Sequence, residues 1–521
     1  MYEGRSEGFR TSAFCLLTSA FSALAALCLL PASLAGGFGY RLRPQPLQPK
    51  FPTMSTRFLI LGATGDLTGR YLMPAVASLY ETGQFPVSGP IVGVSQEAWD
   101  TKQFREHIAQ QLEEHARDVP ATARSELCEK LEYRQADVTD PEQLRVALGN
   151  SGEPIALYLA LPPAVAGEVL HGLSGVKLPP DSRIVCEKPF GNDLASARKL
   201  NELLRPMFSE HVVFRMDHFL GRQTVQNVLG LRFANRVFEY LWSRDHIERV
   251  EIIWDETVAL EGRAGYYDTA GALRDMVQNH LLQLLCLVAM EAPLSFDERD
   301  FRDRKVDVLR AVRKFSAEEA REHSLRARYT AGSIGDRAVP NYVDEPGVEA
   351  ERQTETFAQV TLFIDNWRWN GVPFVLRTGK ALAANRHVIV IRFRQVPYWP
   401  FVNSTPAPNV LRLALDPDQI ELGLNINGAG NPFDLERTTL SAELRQQDLS
   451  AYARLLLDVF EGDAVLSIRG DEAEEAWKIV DPILAAWSNR QAELLEYPAG
   501  SDGPETNSAG EMPPEALHAE E

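Results

Sequence analysis

Hydrophobic and polar positions follow two different patterns along this chain, and the change of pattern divides it. Between residues 56 and 186, short apolar runs are separated by longer amphipathic segments, the first of them at about 69–80. The apolar runs predict buried strands at 58–61, 91–94, 131–133, 155–160 and 183–186. Short buried strands that alternate with helices are typical of a parallel, doubly wound α/β sheet.

Beyond about residue 217 the predicted strands follow one another more closely. Runs with a period of two or with many β-branched residues predict strands at 250–255, 359–364, 388–393, 410–415 and 419–425. Helical patterns lie at 273–290, 448–460 and 472–486. Strands joined by short connections favour a mainly antiparallel sheet within an α+β domain.

These patterns predict two domains and two flanking segments. We expect the α/β domain at 54–217 and a larger α+β domain at 218–498. Residues 499–521 are rich in Gly, Pro, Ser and Glu, a composition that predicts a disordered tail. The segment 1–53 fits neither pattern.

The N-terminal segment permits two interpretations. Residues 11–40 carry no charged side chain, two arginines precede them, and small residues at 33–35 offer a cleavage site. These features are typical of a secretory signal or a membrane anchor. Alternatively the start of translation is assigned too early, because Met54 directly precedes the first predicted strand. We expect the second, with a cytoplasmic mature protein, no membrane partner, and 1–53 as a disordered or absent extension.

Composition narrows the possible classes of function. The 521 residues are 45% apolar and 24% charged, as in a globular protein with a sizeable core. The formal net charge of −19 disfavours nucleic acid as a partner and requires a local basic pocket for any anionic substrate. The five cysteines are far apart and form no CxxC pair, which argues against a disulfide framework or a structural zinc site.

A glycine-bearing turn joins the first predicted strand to the first predicted helix. It consists of Gly62, Ala63, Thr64, Gly65, Asp66 and Leu67. Glycines at such a turn let backbone amides approach a pyrophosphate at a helix N-terminus, so the turn indicates a Rossmann dinucleotide site for NADP or NAD. The choice between them depends on the end of the second strand, where Gln96 is neutral and Glu97 is acidic. Neither residue decides it.

Six longer motifs resemble one known family. They are GATGDL at 62–67, LALPP at 159–163, EKPFGNDLASA at 187–197, RMDHFLGRQTVQNVLGLRFAN at 215–235, EGRAGYYDTAGALRDMVQNHLLQLLCLVAME at 261–291 and VPFVLRTGKAL at 372–382. In content and order they resemble glucose-6-phosphate dehydrogenase, and the resemblance extends from Met54 to about Tyr497. It implies a Rossmann domain followed by an α+β domain that supports a homodimer or homotetramer. It also implies oxidation of C1 of glucose 6-phosphate, with hydride transfer to NADP or NAD.

The resemblance implies roles for individual residues. His280 matches the general base and Asp217 its carboxylate partner, and histidine suits proton abstraction near neutral pH. A histidine on a mostly buried helix is more often only a packed side chain, but the flanking motif favours catalysis. The matches to substrate-binding positions are Lys188, His218, Arg222, Glu256, Asp275 and Lys380. Pro162 and Lys188 match cofactor contacts, with a cis peptide expected before Pro189. Asp275 and His280 are five residues apart, which predicts that they do not share a face of an ideal α-helix.

Several positions depart from the family pattern. Phe219 and Arg222 stand where the family motif usually has tyrosine and lysine. Tyr71 and Asn385 stand at positions that are often basic, although Arg386 is adjacent to Asn385 and offers a substitute. Gln96 replaces an arginine that commonly holds the NADP 2′-phosphate. We therefore also consider a paralogue for another aldose phosphate, a weak enzyme that accepts NAD, and a cofactor-sensing protein without turnover.

Overall fold

A computed structural model describes residues 57–505, apart from 88, 151, 401–404, 432, 445–446 and 490–491. The predicted extension 1–53 lies outside the described residues. Within them, no helix is both long enough and apolar enough to span a bilayer.

The first half of the chain builds a six-stranded sheet in the order β3-β2-β1-β4-β5-β6, with every neighbouring pair parallel. Its strands are β1 (Arg57–Leu61), β2 (Ile91–Ser95), β3 (Leu131–Gln135), β4 (Ile155–Leu159), β5 (Arg183–Glu187) and β6 (Val213–Met216). Apolar runs without alternation form the central strands because helices cover both faces of the sheet. The predicted doubly wound α/β domain is confirmed.

One strand of this sheet was not predicted. All four residues of β6 are buried, but Arg215 interrupts their apolar run. Arg215 tolerates burial because its guanidinium donates to Glu210 Oε1 at 2.6 Å and to Asn201 Oδ1 at 2.8 Å.

Helices connect these strands. They are α1 (Met73–Glu81), α2 (Thr101–His115), α3 (Ala121–Glu129), α4 (Pro141–Leu148), α5 (Pro163–Leu173) and α6 (Leu194–Leu204), with a π-helical turn at Thr68–Leu72 ahead of α1 and a 3₁₀ turn at Glu210–Val212. Asp100 and Asp193 begin α2 and α6 as capping boxes, each accepting from the backbone three residues on.

A nine-stranded sheet forms the second half, in the order β16-β15-β14-β13-β7-β12-β11-β8-β17. Its strands are β7 (Ile247–Asp255), β8 (Ser324–Thr330), β11 (Phe357–Phe363), β12 (Pro373–Gly379), β13 (Arg386–Phe393), β14 (Val410–Leu415), β15 (Asp418–Asn427), β16 (Leu435–Glu443) and β17 (Leu494–Pro498), and β9 (Gly332–Ile334) with β10 (Arg337–Val339) forms a separate hairpin. The pairs β7–β12 and β8–β17 are parallel and the others antiparallel. A mainly antiparallel sheet is thus confirmed.

The helices of this half pack on the second sheet, on one another or on the first half. They are α7 (Gln223–Phe233), α8 (Arg236–Leu241), α9 (Ala264–Ala272), α10 (Leu282–Ala289), α11 (Glu298–Ala311), α12 (Ala317–Glu322), α13 (Ala451–Glu461) and α14 (Gly470–Ser488), with short 3₁₀ turns at His218–Gly221, Tyr342–Asp344 and Ala350–Arg352. The helix predicted at 273–290 is only partly α-helical. Leu273–Leu281 is a π-helix, and α10 continues it.

Helix α13 packs on the first sheet although it lies more than two hundred residues beyond it in the chain. Leu456 and Phe460 belong to the same buried cluster as Phe58 and Tyr158. The Phe58 and Phe460 rings meet edge to face at 5.1 Å, and Arg183 Nη1 donates to Val459 O at 2.7 Å. The core under this side of the first sheet is therefore completed by the C-terminal part of the chain, and the boundary at 217 stays a prediction.

The tail predicted to be disordered at 499–521 is ordered at its beginning. Ala499 N donates to Thr330 O at 3.1 Å, Gly500 N to Ala381 O at 2.8 Å, and Ala383 N to Ser501 O at 2.9 Å. These backbone bonds hold the beginning of the tail on the second sheet, since paired backbone groups order a segment whatever its composition. Residues 506–521 lie outside the described part of the chain.

Candidate functional site

A buried carboxylate–imidazole pair lies where the two halves meet. Asp217 directly follows β6, and His280 projects from the π-helix at Leu273–Leu281. The distance from His280 Nδ1 to Asp217 Oδ1 is 2.5 Å, and the two side chains are almost wholly buried. Asp217 Oδ1 also accepts from Phe219 N at 3.0 Å, which fixes the carboxylate. A carboxylate only accepts, so Nδ1 carries the proton and Nε2 is left as the basic nitrogen.

The surroundings set the ionisation of this pair. Burial lowers the pKa of His280 more than the neighbouring Asp217 carboxylate raises it. Burial raises the pKa of Asp217, but the charge of His280 and its hydrogen bond outweigh burial and lower that pKa to about 2. At neutral pH the pair is therefore a carboxylate and a neutral imidazole, the state that a general base requires.

Phe219 completes the surroundings of the base. Its ring stacks on the His280 imidazole with the centroids 3.9 Å apart and the planes 11° from parallel. Phe219 is 3% exposed, so this stack holds the imidazole plane rigidly.

The π-helix places Asp275 near His280, and here the expectation from an ideal α-helix was wrong. Hydrogen bonds in a π-helix join residues five apart, so the two side chains come closer to one face. Asp275 Oδ1 accepts from Lys188 Nζ at 3.2 Å and from Tyr266 Oη at 3.2 Å. Burial raises the pKa of Asp275, but the charges of Lys188, Lys380 and His280 lower it overall. The predicted residues Lys188 and Asp275 are thus brought together near the base, and the charge of Lys380 acts on the same carboxylate.

Lys188 follows β5, and its peptide bond to Pro189 is cis, as the resemblance implied. Its ammonium also donates to Asp275 O at 3.1 Å. The preceding residue, Glu187, accepts from Tyr158 Oη. Burial raises the pKa of Glu187 to about 7, although Tyr158 and Lys188 oppose the shift.

Glu256 and Lys380 lie together because β7 and β12 are parallel neighbours and end at the same edge of the sheet. Lys380 Nζ donates to Glu256 Oε2 at 2.6 Å, and Lys380 lies 5.3 Å from the centre of the Tyr267 ring. Trp254 Nε1 donates to Glu256 Oε1 at 3.4 Å. Carboxylate and ammonium groups at one edge suit a polyhydroxylated ligand.

Two of the predicted phosphate contacts, His218 and Arg222, lie near His280 or near the Phe219 ring that stacks on it. The His218 ring is 5.0 Å from the His280 ring, and it stacks on Tyr452 at 5.5 Å. Burial, followed by the charge of His280, lowers the pKa of His218 to about 3, so it is neutral near pH 7. The Arg222 guanidinium lies 5.2 Å from the Phe219 ring and 5.0 Å from the Trp254 ring. Tyr452 was not predicted, because it reaches the site from α13.

The suggestion that Arg386 replaces a missing cation at Asn385 is wrong. Asn385 Oδ1 accepts from Thr257 N at 2.8 Å. Arg386 pairs in register with Asp255, and its guanidinium binds Asp502 and lies 3.9 Å from the Asp255 carboxylate. Successive side chains in a strand face opposite sides, so Arg386 faces away from Trp254 and the base.

The glycine-bearing turn fits a dinucleotide. Gly62 has φ +85°, and a Cβ there would collide with the carbonyl oxygen of Ala160. Gly62 N and Ala63 N donate to Val94 O at 2.9 and 3.3 Å, so the turn crosses the carboxyl ends of β1, β2 and β4, where the order of the strands reverses. Gly65 and Asp66 are exposed at the start of the following helix, Leu67 is half-buried, and Pro162 lies exposed after β4. Ligands of doubly wound sheets bind at this reversal point.

The end of β2 is lined by neutral and acidic groups. Thr64 Oγ1 donates to Glu97 Oε2 at 2.9 Å, and Thr64 N donates to Ser95 Oγ at 3.3 Å. A side-chain hydrogen bond from Gln96 helps to lower the pKa of Asp137. The sequence from Ser95 to Asp100 contains neither Lys nor Arg. These groups fit a ribose 2′-hydroxyl better than a 2′-phosphate.

Known proteins share this architecture. Two family models match the chain, "Glucose-6-phosphate dehydrogenase, NAD binding domain" at residues 59–227 and "Glucose-6-phosphate dehydrogenase, C-terminal domain" at 229–511. A glucose-6-phosphate 1-dehydrogenase of Zymomonas mobilis is 40% identical over 477 residues, which cover 87% of this chain and 96% of that protein.

Two solved structures are similar over the same extent. A glucose-6-phosphate 1-dehydrogenase from Mycobacterium avium superposes with a TM-score of 0.77 at 34% identity, covering 87% of this chain and 95% of that one. A glucose-6-phosphate dehydrogenase in complex with its substrate glucose-6-phosphate also gives a TM-score of 0.77, at 32% identity, covering 87% and 96% of the two chains.

Proposed function

Because the chain belongs to the glucose-6-phosphate dehydrogenase family, it oxidises glucose 6-phosphate at C1 to 6-phosphoglucono-1,5-lactone, and we propose that His280 and Asp217 supply the proton chemistry of that step. This oxidation is the entry step of the pentose phosphate pathway. When bound, NADP or NAD would supply the hydride acceptor, and the glycine-bearing turn at residues 62–67 would hold it. The observation that carries the proposal is the buried hydrogen bond between His280 Nδ1 and Asp217 Oδ1.

His280 Nε2 takes the proton of the C1 hydroxyl as hydride leaves C1. Asp217 holds the ring through Nδ1–H and stabilises the imidazolium that forms. Phe219 keeps the ring plane fixed by stacking on it. The burial of the pair excludes water, which strengthens this electrostatic stabilisation.

The remaining predicted residues position the sugar phosphate. Glu256, Lys380 and Asp275 hold the hydroxyl groups, and Lys188 lies between sugar and cofactor, bound to Asp275. Arg222 and His218 bind the phosphate, with Arg222 as the cation that distinguishes a phosphorylated sugar from a free one. This basic group is the local exception that an anionic substrate requires on a chain of formal net charge −19.

We propose NAD as the better cofactor of the two. The support is the acidic and neutral lining at the end of β2, where Thr64 donates to the Glu97 carboxylate. A carboxylate there accepts from the ribose 2′-hydroxyl and repels a 2′-phosphate.

We also propose that the mature chain starts near Met54, stays in the cytoplasm and forms a homodimer or homotetramer. Support for assembly comes from apolar side chains at and beside β15 and the edge strand β16, where Phe433 is 71% exposed, Leu440 59% and Ile426 46%. Light scattering of the purified chain measures its mass in solution. A monomer at micromolar concentration contradicts the assembly proposal.

The proposed start is tested by mass spectrometry of the native protein. An N-terminus upstream of Met54 contradicts it.

The test of the mechanism compares His280→Asn with the unaltered chain. We expect kcat for glucose 6-phosphate to fall about 10²–10⁴-fold, with a smaller change in KM, because the loss is of general-base catalysis. The measurement is steady-state reduction of NADP and of NAD. His171→Asn, an exposed histidine on α5, is the matched control and retains activity. Undiminished turnover in His280→Asn contradicts the assignment.

A further inference from the structure

We propose that His387 is a phosphate-binding residue of this chain and takes the place of the cation missing at Asn385. This inference rests on the proposed substrate and on Arg222 as one phosphate contact. It assigns a residue that belongs to none of the motifs carrying the family resemblance. His387 is the second residue of β13 and pairs in register with Trp254 of β7.

The strand geometry separates His387 from its neighbours. Asn385 is engaged with Thr257 N, and Arg386 points to the opposite face with Asp255 and Asp502. Alternation in the strand turns His387 to the face that carries Trp254, where its imidazole stacks on the indole at 3.7 Å and 12°. Of these three residues, His387 is therefore the one that shares the Trp254 indole with Arg222, whose guanidinium lies 5.0 Å from that ring.

The charged groups around the ring place it between the two ends of the substrate site. The pKa of His387 is lowered, chiefly by burial. The carboxylates of Asp416, Glu256 and Asp255 oppose this shift, and the Arg222 cation adds to it. Asp416 lies in the turn after β14, Glu256 at the end of β7 and Arg222 before α7. Asp255 acts on His387 only through its charge, from the opposite face of the sheet. Glu256 belongs to the sugar contacts and Arg222 to the phosphate contacts, so a sugar phosphate that spans them passes His387.

The ring nitrogens have hydrogen-bonding capacity to offer. Within the described part of the chain, neither Nδ1 nor Nε2 has a hydrogen-bond partner, and both atoms are buried. The nearest acidic oxygen is Asp416 Oδ2, 3.7 Å from Nδ1, too far for a good bond. A phosphate dianion supplies acceptors and stabilises the imidazolium, so binding takes up a proton at neutral pH.

The test measures binding of glucose 6-phosphate to the full-length chain and its variants by calorimetry, which does not depend on turnover. His387→Phe keeps the stack on Trp254 and removes both nitrogens. We expect it to weaken binding about tenfold, the effect of losing one charge-assisted hydrogen bond, while the weak binding of glucose stays unchanged. The matched control is His323→Phe, because the His323 imidazole packs beside Phe315 and Phe363 at the far end of β11.

Proton uptake separates a phosphate contact from a merely packed histidine. At pH 7.5, titrations in two buffers of different ionisation enthalpy should show roughly 0.5–1 proton taken up by the unaltered chain and none by His387→Phe. His387→Lys should restore affinity and show no proton uptake at pH 7.5, because a lysine cation does not titrate there.

Unchanged affinity in His387→Phe, or an equal loss for glucose and glucose 6-phosphate, overturns the inference. So does proton uptake that persists in His387→Phe. Absence of turnover in a chain that still binds the sugar phosphate through His387 overturns the proposed function instead and leaves this inference standing.

Discussion

At the scale of single residues, the ionisation of the site follows from what surrounds each group. His280 and Asp217 are both buried. Burial alone would favour the neutral imidazole of His280, and it would also favour the protonated, neutral carboxyl of Asp217. Their mutual hydrogen bond keeps Asp217 ionised, with its pKa at about 2. Near neutral pH the base is therefore neutral and its partner charged.

The pH profile reports this arrangement. Catalysis needs neutral His280, so kcat/KM falls as the pH drops through the His280 pKa, which burial holds below its ordinary value. Asp217→Asn removes the partner that raises this pKa. We therefore expect its acid limb to move to lower pH, while the plateau falls about 10²–10⁴-fold because the imidazolium loses its stabilising charge. An acid limb that moves to higher pH contradicts the proposed pair.

Cofactor choice is tested at Gln96. Gln96→Arg places a guanidinium at the end of β2, where the present lining is neutral or acidic, and should raise the ratio of kcat/KM for NADP over NAD about tenfold or more. Initial rates with each cofactor at saturating sugar phosphate give the ratio, with Gln103→Arg on the first turn of α2 as a control. A ratio that does not move shows that the selectivity lies elsewhere.

Much of the residue-level site could be predicted because motifs carry it in the sequence. The stack of Phe219 on His280 and the positions of Tyr452 and His387 could not. They depend on side chains from α13, β13 and the π-helix meeting in space, and no local pattern records such a meeting. Arg386 shows the converse: adjacency in sequence suggested a substitute, but strand alternation turns it away.

At the scale of elements, the π-helix at Leu273–Leu281 decides the geometry around the base. The hydrophobic pattern predicted a helix at 273–290 but could not reveal its π-helical part, because one extra residue per turn barely alters a buried pattern. Strand β6 was missed for a related reason, since the buried Arg215 breaks its apolar run. Charged side chains in buried strands are predictable only when their partners are known.

Gly271 interrupts the helical backbone just before the π-helix at Leu273–Leu281 begins. Its φ is +71°, and a Cβ there would collide with the Glu355 carboxylate, which accepts from Leu273 N at 3.0 Å. Gly271→Ala should lower the free energy of unfolding by about 1–3 kcal/mol and reduce kcat, because the displaced helix carries Asp275 and His280. Urea unfolding and steady-state rates measure the two effects.

The control for that variant is a second glycine of α9, the segment that also contains Gly271. Gly265 of α9 has open space around its added Cβ and no strained φ, so Gly265→Ala should leave stability within about 0.5 kcal/mol of the unaltered chain. Equal effects of the two substitutions would show that backbone conformation at Gly271 is not the cause.

At the scale of the whole molecule, the spacing of the elements predicted the type of both sheets correctly, because strands of parallel and antiparallel sheets follow one another at different distances along the chain. Strands β8, β12, β16 and β17 of the second sheet were not predicted. The ordered beginning of the tail was not predicted, since its composition resembles that of disordered segments. Its backbone bonds to Ala381 and Ala383 lie beside Lys380, one of the proposed substrate contacts. The tail therefore bears on the site from a distance in sequence.

Truncation tests that dependence. A chain ending at Pro498 loses the bonds made by Gly500 and Ser501 and the contact between Asp502 and Arg386. We expect its KM for glucose 6-phosphate to rise about 3- to 10-fold, because the turn that carries Lys380 loses its backbone bonds to the tail. A chain ending at Glu505 keeps these contacts and should match the full chain. Identical KM values for the two truncations would show that the segment is dispensable.

The return of α13 to the first sheet has a consequence for how the protein is made. During synthesis the six parallel strands leave the ribosome long before residues 451–461, yet Phe58 and Tyr158 reach their final neighbours only when α13 arrives. The nascent N-terminal half therefore waits with part of its apolar surface exposed while more than two hundred further residues are translated. Chaperones that recognise exposed apolar segments have their longest opportunity to bind during this interval, which ends only when residues 451–461 have emerged.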